Sequence, residues 1–373
     1  MTRHKAPVAG LKALPRRLFY TGYAVILLVA GYYMRLSPAA LSLTEEFGRL
    51  SQGGPWFIPG SKVAIRRDYT GIEAIDAVLT FFVAVFYPIS TQSKGTRLQL
   101  VYFLFNFTSI WTVLAVESIR VRNARALITF TTVLYTLLQT VGAAVFVPVW
   151  CALYTWISGR STYWTFTRET PVTKAAILPA ALLLAYVIPS LGLAYQFQDS
   201  RSLQAYLAFW QITPMLINLI WVPMAWITKA SSSGKAGPPD TDVLYLNITY
   251  GLSFLAGFIP HVALLYICFT SNEPTYTLDF IFTPRQPTDP TWNSALFFIF
   301  KVDLAAAFVS MILWCFQVRL ELINVGCEPS GVAYVLFGTV IGSIVLGPGA
   351  FISATCWWRE AKINAFDQPR KTM

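Results

Sequence analysis

The sequence predicts an all-α, polytopic integral membrane bundle of eight or nine spans, and three observations carry that reading. Hydrophobic residues make up 55% of the 373 residues and charged residues 12%, where a soluble domain carries about 25% charged residues. The mean hydropathy is +0.54. The apolar residues also gather into runs of about the 20 residues that a bilayer crossing needs. Almost nothing remains for a soluble domain, so residues 1–373 read as a single membrane domain.

A basic tail over residues 1–17 precedes the first apolar run, which lacks a small-residue cleavage site and reads as a retained signal anchor. Apolar runs then predict helices over 18–34, 71–90, 98–118, 126–157, 174–195, 203–228, 243–270, 293–317 and 332–357. The first two are short or polar-ended, which leaves eight spans open beside nine. The fourth is too long for one straight crossing and carries Pro148, which predicts a kink or a helix running past the interface. Residues 35–68, with Gly53-Gly-Pro-Trp-Phe-Ile-Pro-Gly60, read as a loop, either a lid over one mouth of the bundle or plain surface. Further breaks are expected at Ser231–Asp240 and Glu273–Pro290. With nine spans the basic residues divide almost evenly between the two sides, so charge asymmetry assigns no orientation.

The net charge of +10 is spread over loops and termini, as at Arg16-Arg17 and Arg66-Arg67. This suits anionic lipid headgroups and forms no stripe for nucleic acid. The five cysteines lack CxxC spacing and read as small buried hydrophobes. No Asp-rich metal–diphosphate motif and no histidine cluster is present, so no cofactor or metal is expected. His261 follows Pro260 within a span and reads as a hydrogen-bonded structural histidine, with the base of a membrane O-acyltransferase as the alternative.

Carboxylates in apolar runs are the candidate chemistry, because an ionisable group at mid-bilayer costs roughly 2.5–3.5 kcal/mol and needs a partner, a cavity or a reaction. Asp303 lies within Leu296–Leu313, and Lys301 two residues earlier does not share its face. In a dry apolar site such a carboxyl keeps its proton and can donate it; a paired helix–helix contact is the alternative. Glu73 and Asp76, three residues apart, fall on one helical face and disfavour double ionisation, or serve only as first-turn acids. Glu117 ends a run beside Arg120 and Arg122, where a salt bridge is the simple reading, and Asn106 extends a polar stripe along the same helix. Aromatic residues, 15% of the chain, form interface belts or line an isoprenoid pocket whose ring faces stabilise a cation.

The run Tyr69-Thr-Gly-Ile-Glu-Ala-Ile-Asp-Ala-Val-Leu-Thr-Phe-Phe-Val-Ala-Val-Phe-Tyr-Pro88 resembles a family of fungal membrane-bound terpene cyclases that includes the ascofuranone-pathway cyclase. The resemblance continues through Leu98–Phe103 and Trp111–Arg120 and is strongest over about 70–120. The chain departs from it at Tyr102-Phe103 and Phe105-Asn106, where a histidine-phenylalanine and a glycine-glutamine pair are expected, and at Glu73, where proline is commoner. The resemblance implies acid-initiated, metal-free cyclisation of an epoxidised prenyl chain on an aromatic or polyketide head. It makes Asp76 the first choice of proton donor, with Glu117 and Asp303 as further acid or base, Glu73 tuning Asp76, and Tyr102 and Asn106 orienting the oxygen. It further implies an endoplasmic-reticulum membrane, a hydrophobic small-molecule substrate, and a prenyltransferase and an epoxidase as neighbours. The competing class is a transporter or permease, which needs a water-filled path with the carboxylates along it.

Overall fold

The computed structural model describes residues 15–124, 126–160, 163–165, 168–195, 197–231 and 241–367. His4 and most of the predicted 231–240 break lie outside them. The described residues form α1 (Arg16–Arg35), α2 (Pro38–Ser51), α3 (Glu73–Thr91), α4 (Lys94–Ile119), α5 (Thr131–Val141), α6 (Ala143–Ser158), α7 (Val172–Ala175), α8 (Leu178–Leu182), α9 (Ile188–Ala194), α10 (Ser200–Ser231), α11 (Thr241–Thr270), α12 (Leu278–Phe282), α13 (Trp292–Asn324), α14 (Val332–Val345) and α15 (Pro348–Asp367). A π-helical stretch over Leu183–Val187 joins α8 to α9. The only β pairing among the described residues is an isolated bridge between Phe57 and Ala64.

Five helical segments are long and apolar enough to cross a membrane, or six if the bent pair α1–α2 is one span. Two of them start from strong local signals. Ser93 and Thr291 form reciprocal capping boxes with Thr96 and Ser294, which satisfy the orphan N–H groups opening α4 and α13. The central α4 is then buried along nearly its whole length, from Gln99 to Ile119 apart from Val101.

Three sequence expectations differ from the structure. The segment predicted as a loop over 35–68 contains α2, whose Ser37 cap accepts from the Ala40 N–H at 3.2 Å and whose first position is Pro38. The run predicted as one kinked span over 126–157 is a broken hairpin. Its break falls at Gly142, where φ is +94°, and Pro148 is accommodated inside α6. Such a φ is a conformation that favours glycine. The run over 332–357 breaks likewise at Gly347, with φ +82°.

Contacts show where these hairpins point. Tyr135 on α5 packs on Trp111, the chain turns beside Asp303 about a third of the way along α13, and α6 returns to set Ser158 against Arg16 and Glu321. The α14–α15 pair leaves Arg319, turns beside His261 and Asn106, and returns to place Arg359 on Glu117. Each hairpin therefore enters from the end of the bundle that holds Glu117 and Glu321, turns in the middle, and goes back.

Candidate active site

A cavity of about 400 Å³ lies at the turn of the α5–α6 hairpin, walled by α1–α6, α10, α13 and Tyr186 of the π-helical stretch. Ten of its lining side chains are aromatic, and several are fixed by hydrogen bonds or ring contacts. The Tyr186 hydroxyl donates to the Leu104 carbonyl at 2.9 Å, and the Trp210 indole N–H donates to Ser190 Oγ at 3.1 Å. Phe86 stands edge-on to Phe300 with centroids 5.0 Å apart, and Trp111 packs on Tyr186 at 5.6 Å. Held this way, ring faces present negative potential to a positive centre.

Among the described lining residues Asp303 is the one acid and Arg35 the one base. The Ala144 N–H, one of the free amides opening α6, donates to Asp303 Oδ1 at 2.7 Å. The adjacent Ala143 N–H also bonds the carboxyl. The carboxyl is thus anchored on the hairpin turn by backbone N–H groups, with no side chain bonded to it among the described residues. Glycine is required here by its φ of +94°; a β-carbon would meet Met34 Cε at 3.2 Å and make an ordinary contact with Asp303 Oδ1 at 3.4 Å.

The other predicted residues lie elsewhere. Asp76 folds back on the turn before α3, accepting from the Thr70 N–H and hydroxyl, each at 2.7 Å, and from the Gly71 N–H at 3.1 Å. Its capacity is spent on closing that turn. Glu73, three residues earlier, is exposed, and burial separates the two although they share a helix. Tyr102 donates to His261 Nδ1 at 3.3 Å, and His261 Nε2 donates to the Ile344 carbonyl at 3.1 Å. Asn106 Oδ1 accepts from the Gly349 N–H at 2.9 Å, while its amide donates to the Tyr102 carbonyl at 2.9 Å. These residues hold the α14–α15 turn, and none lines the cavity.

Glu117 belongs to a buried ionic cluster. Its Oε1 accepts from Arg120 Nε at 2.8 Å and Arg359 at 2.7 Å, and its Oε2 from Asn123 at 3.0 Å. Arg120 also pairs with Glu360, and Arg168 joins Asp242 at 3.3 Å. Burial opposes the Arg120 charge, but Glu117 and Glu360 hold it protonated, far above the usual guanidinium range. The three carboxylates therefore share no path: Asp76 closes a turn, Glu117 is locked among arginines, and Asp303 alone meets a cavity. His261 meets no described tunnel.

Arg35 and Gly142 were not legible as site residues. Arg35 simply follows an apolar run, and nothing local marks the glycine at which the fourth run would break.

The CtvD domain model matches residues 44–364. Among curated proteins, the terpene cyclase ctvD of Aspergillus terreus is 28% identical over 175 residues, covering 43% of this chain and 48% of the relative. The terpene cyclase penA of Penicillium crustosum is 22% identical over 80% of this chain and 83% of its own length. The terpene cyclase atmA of Aspergillus flavus is 26% identical over 44% and 46%. The chain thus spans about half the length of ctvD and atmA, and most of penA. No solved structure matches. The match over most of its length places this chain in the CtvD family of fungal membrane-bound terpene cyclases.

Proposed function

We propose that the protein is a membrane terpene cyclase that closes rings on an epoxidised prenyl chain in fungal secondary metabolism, with Asp303 as the proton donor. The observation that carries this reading is an aromatic cavity whose one described acid is held by backbone N–H groups alone, with no cationic or other side-chain partner among the described residues.

The chemistry follows from that arrangement. With its proton on Oδ2, Asp303 donates to the oxirane oxygen, and the carbon–oxygen bond breaks. The neighbouring alkene, or a hydroxyl, attacks the carbon that loses the oxygen. Positive charge then moves through a space bounded by Phe86, Trp111, Tyr186 and Trp210, whose aromatic rings stabilise it. The Ala144 N–H and the positive end of α6 stabilise the carboxylate left behind. Loss of one proton gives an isomer of the substrate, so overall the reaction consumes nothing but the epoxide strain.

The reading extends to an endoplasmic-reticulum membrane and a head group of aromatic or polyketide origin. A prenyltransferase and an epoxidase are the reaction classes that must supply such a substrate. The test is incubation of microsomes carrying the protein with a panel of epoxyfarnesyl aromatic compounds. A new product of unchanged mass is the expected result. No product from well-folded protein across the panel would overturn the assignment.

A further inference from the structure

A carboxyl and a guanidinium face the same cavity, and among the described residues they form no ion pair. The α5–α6 break exposes two peptide ends, and a different side chain grips each. Arg35 donates from one terminal nitrogen to the Val141 carbonyl at 2.9 Å, the last acceptor of α5. Asp303 accepts from the Ala144 N–H at 2.7 Å, at the start of α6. Only Gly142 and Ala143 separate these peptide groups, and both Arg35 and Asp303 line the cavity.

Each side chain retains hydrogen-bonding capacity. A guanidinium has five N–H donors; Arg35 uses two, on the Met34 carbonyl at 3.1 Å and on Val141. No carboxylate lies within ion-pairing distance of it among the described residues, Asp303 included. Asp303 likewise has only backbone N–H partners among the described residues. Arg35 is exposed at the end of α1 and also lines the cavity, so its spare N–H groups are open to an oxygen that enters there. An oxygen with two lone pairs can accept from both sides at once.

We propose that Arg35 is a second catalytic contact: with Asp303 it forms a two-donor seat for the reacting oxygen of an epoxidised isoprenoid. This rests on the cyclase reading above. The Asp303 proton passes to the oxirane oxygen, and the pair of the breaking carbon–oxygen bond stays on that oxygen as a hydroxyl. Arg35 keeps its protons and holds the oxygen by hydrogen bonding while that bond lengthens. The alkene pair forms the new carbon–carbon bond, and the proton lost from the final cation returns to the Asp303 carboxylate. The seat also explains selectivity, since a prenyl chain without the oxygen leaves both groups unsatisfied.

The experiment compares binding of an epoxyfarnesyl phenyl ether and its farnesyl parent to purified protein in nanodiscs, read by quenching of tryptophan fluorescence. Turnover of the epoxide is measured alongside. Wild type should prefer the epoxide by about tenfold or more, the range of a hydrogen bond to a charged group. Arg35→Gln keeps a donor for the Val141 carbonyl but loses the charge. It should bring the preference close to one, leave farnesyl binding unchanged, and slow turnover about 100-fold, as loss of one preorganised donor does. Arg35→Lys should recover part of both. An Arg35→Gln protein that keeps the epoxide preference overturns the seat, and so does equal loss of both ligands, which marks Arg35 as only a clamp on α5. A wild type that turns over the epoxide while either result holds leaves the cyclase reading standing. A wild type that neither prefers nor converts the epoxide overturns the cyclase reading and the seat together.

Discussion

The α5–α6 and α14–α15 hairpins are built alike, and one opens onto a cavity while the other is sealed. Both break at a glycine with φ near +90°, and both turns are held by a side chain accepting from the first turn of the returning helix. At Gly347 the holder is the neutral Asn106, which uses its amide on Tyr102, and His261 closes the remaining carbonyl at Ile344. At Gly142 the holder is a carboxyl bonded only to backbone N–H groups, and beside it stands an arginine with no ion pair among the described residues. Full satisfaction of polar groups makes a structural joint; incomplete satisfaction in a cavity leaves capacity for a ligand.

This contrast can be broken at several points. Asp303→Asn retains an acceptor for the Ala144 N–H but has no acidic proton. Activity should fall about 10³-fold, within the range for losing a general acid, with little change in melting temperature. Glu117→Gln strips charge from a buried ionic cluster, and removal of one partner costs about 3–5 kcal/mol. A thermal shift assay should therefore show strong destabilisation, with activity per folded molecule retained. Asn106→Leu abandons the Gly349 N–H in the sealed joint and should cost about 1–3 kcal/mol, again read as lowered melting temperature with turnover preserved. Gly142→Ala forces a β-carbon into a φ of +94°, at about 1–3 kcal/mol. Because this strain falls on the turn that brings the Ala144 N–H to Asp303, it should lower turnover as well as stability, unlike Asn106→Leu.

Much of the fold was legible. Apolar runs located the long helices because the bilayer sets their length. What remained hidden was the difference between a crossing and a broken pair. Residues 126–157 and 332–357 are as apolar as true spans, and a glycine that will adopt positive φ looks like any other glycine. The site was legible in part. Asp303 stood out because it interrupts an apolar run, but Asp76 ranked above it on segment resemblance. Local sequence does not reveal that the Asp76 carboxylate folds back on Thr70 and Gly71. Glu117 was readable as a salt bridge from its neighbours Arg120 and Arg122; Arg359 and Glu360, more than two hundred residues away, were not.

The most direct test sets Asp303→Asn against Asp76→Asn in one turnover assay with an epoxyfarnesyl aromatic substrate, each variant normalised to folded protein. Asp76→Asn should remain within a few fold of wild type, because its carboxylate only closes the turn before α3. Asp303→Asn should yield almost no product. The reverse outcome, an active Asp303→Asn and a dead but folded Asp76→Asn, would contradict the assignment of the cavity acid.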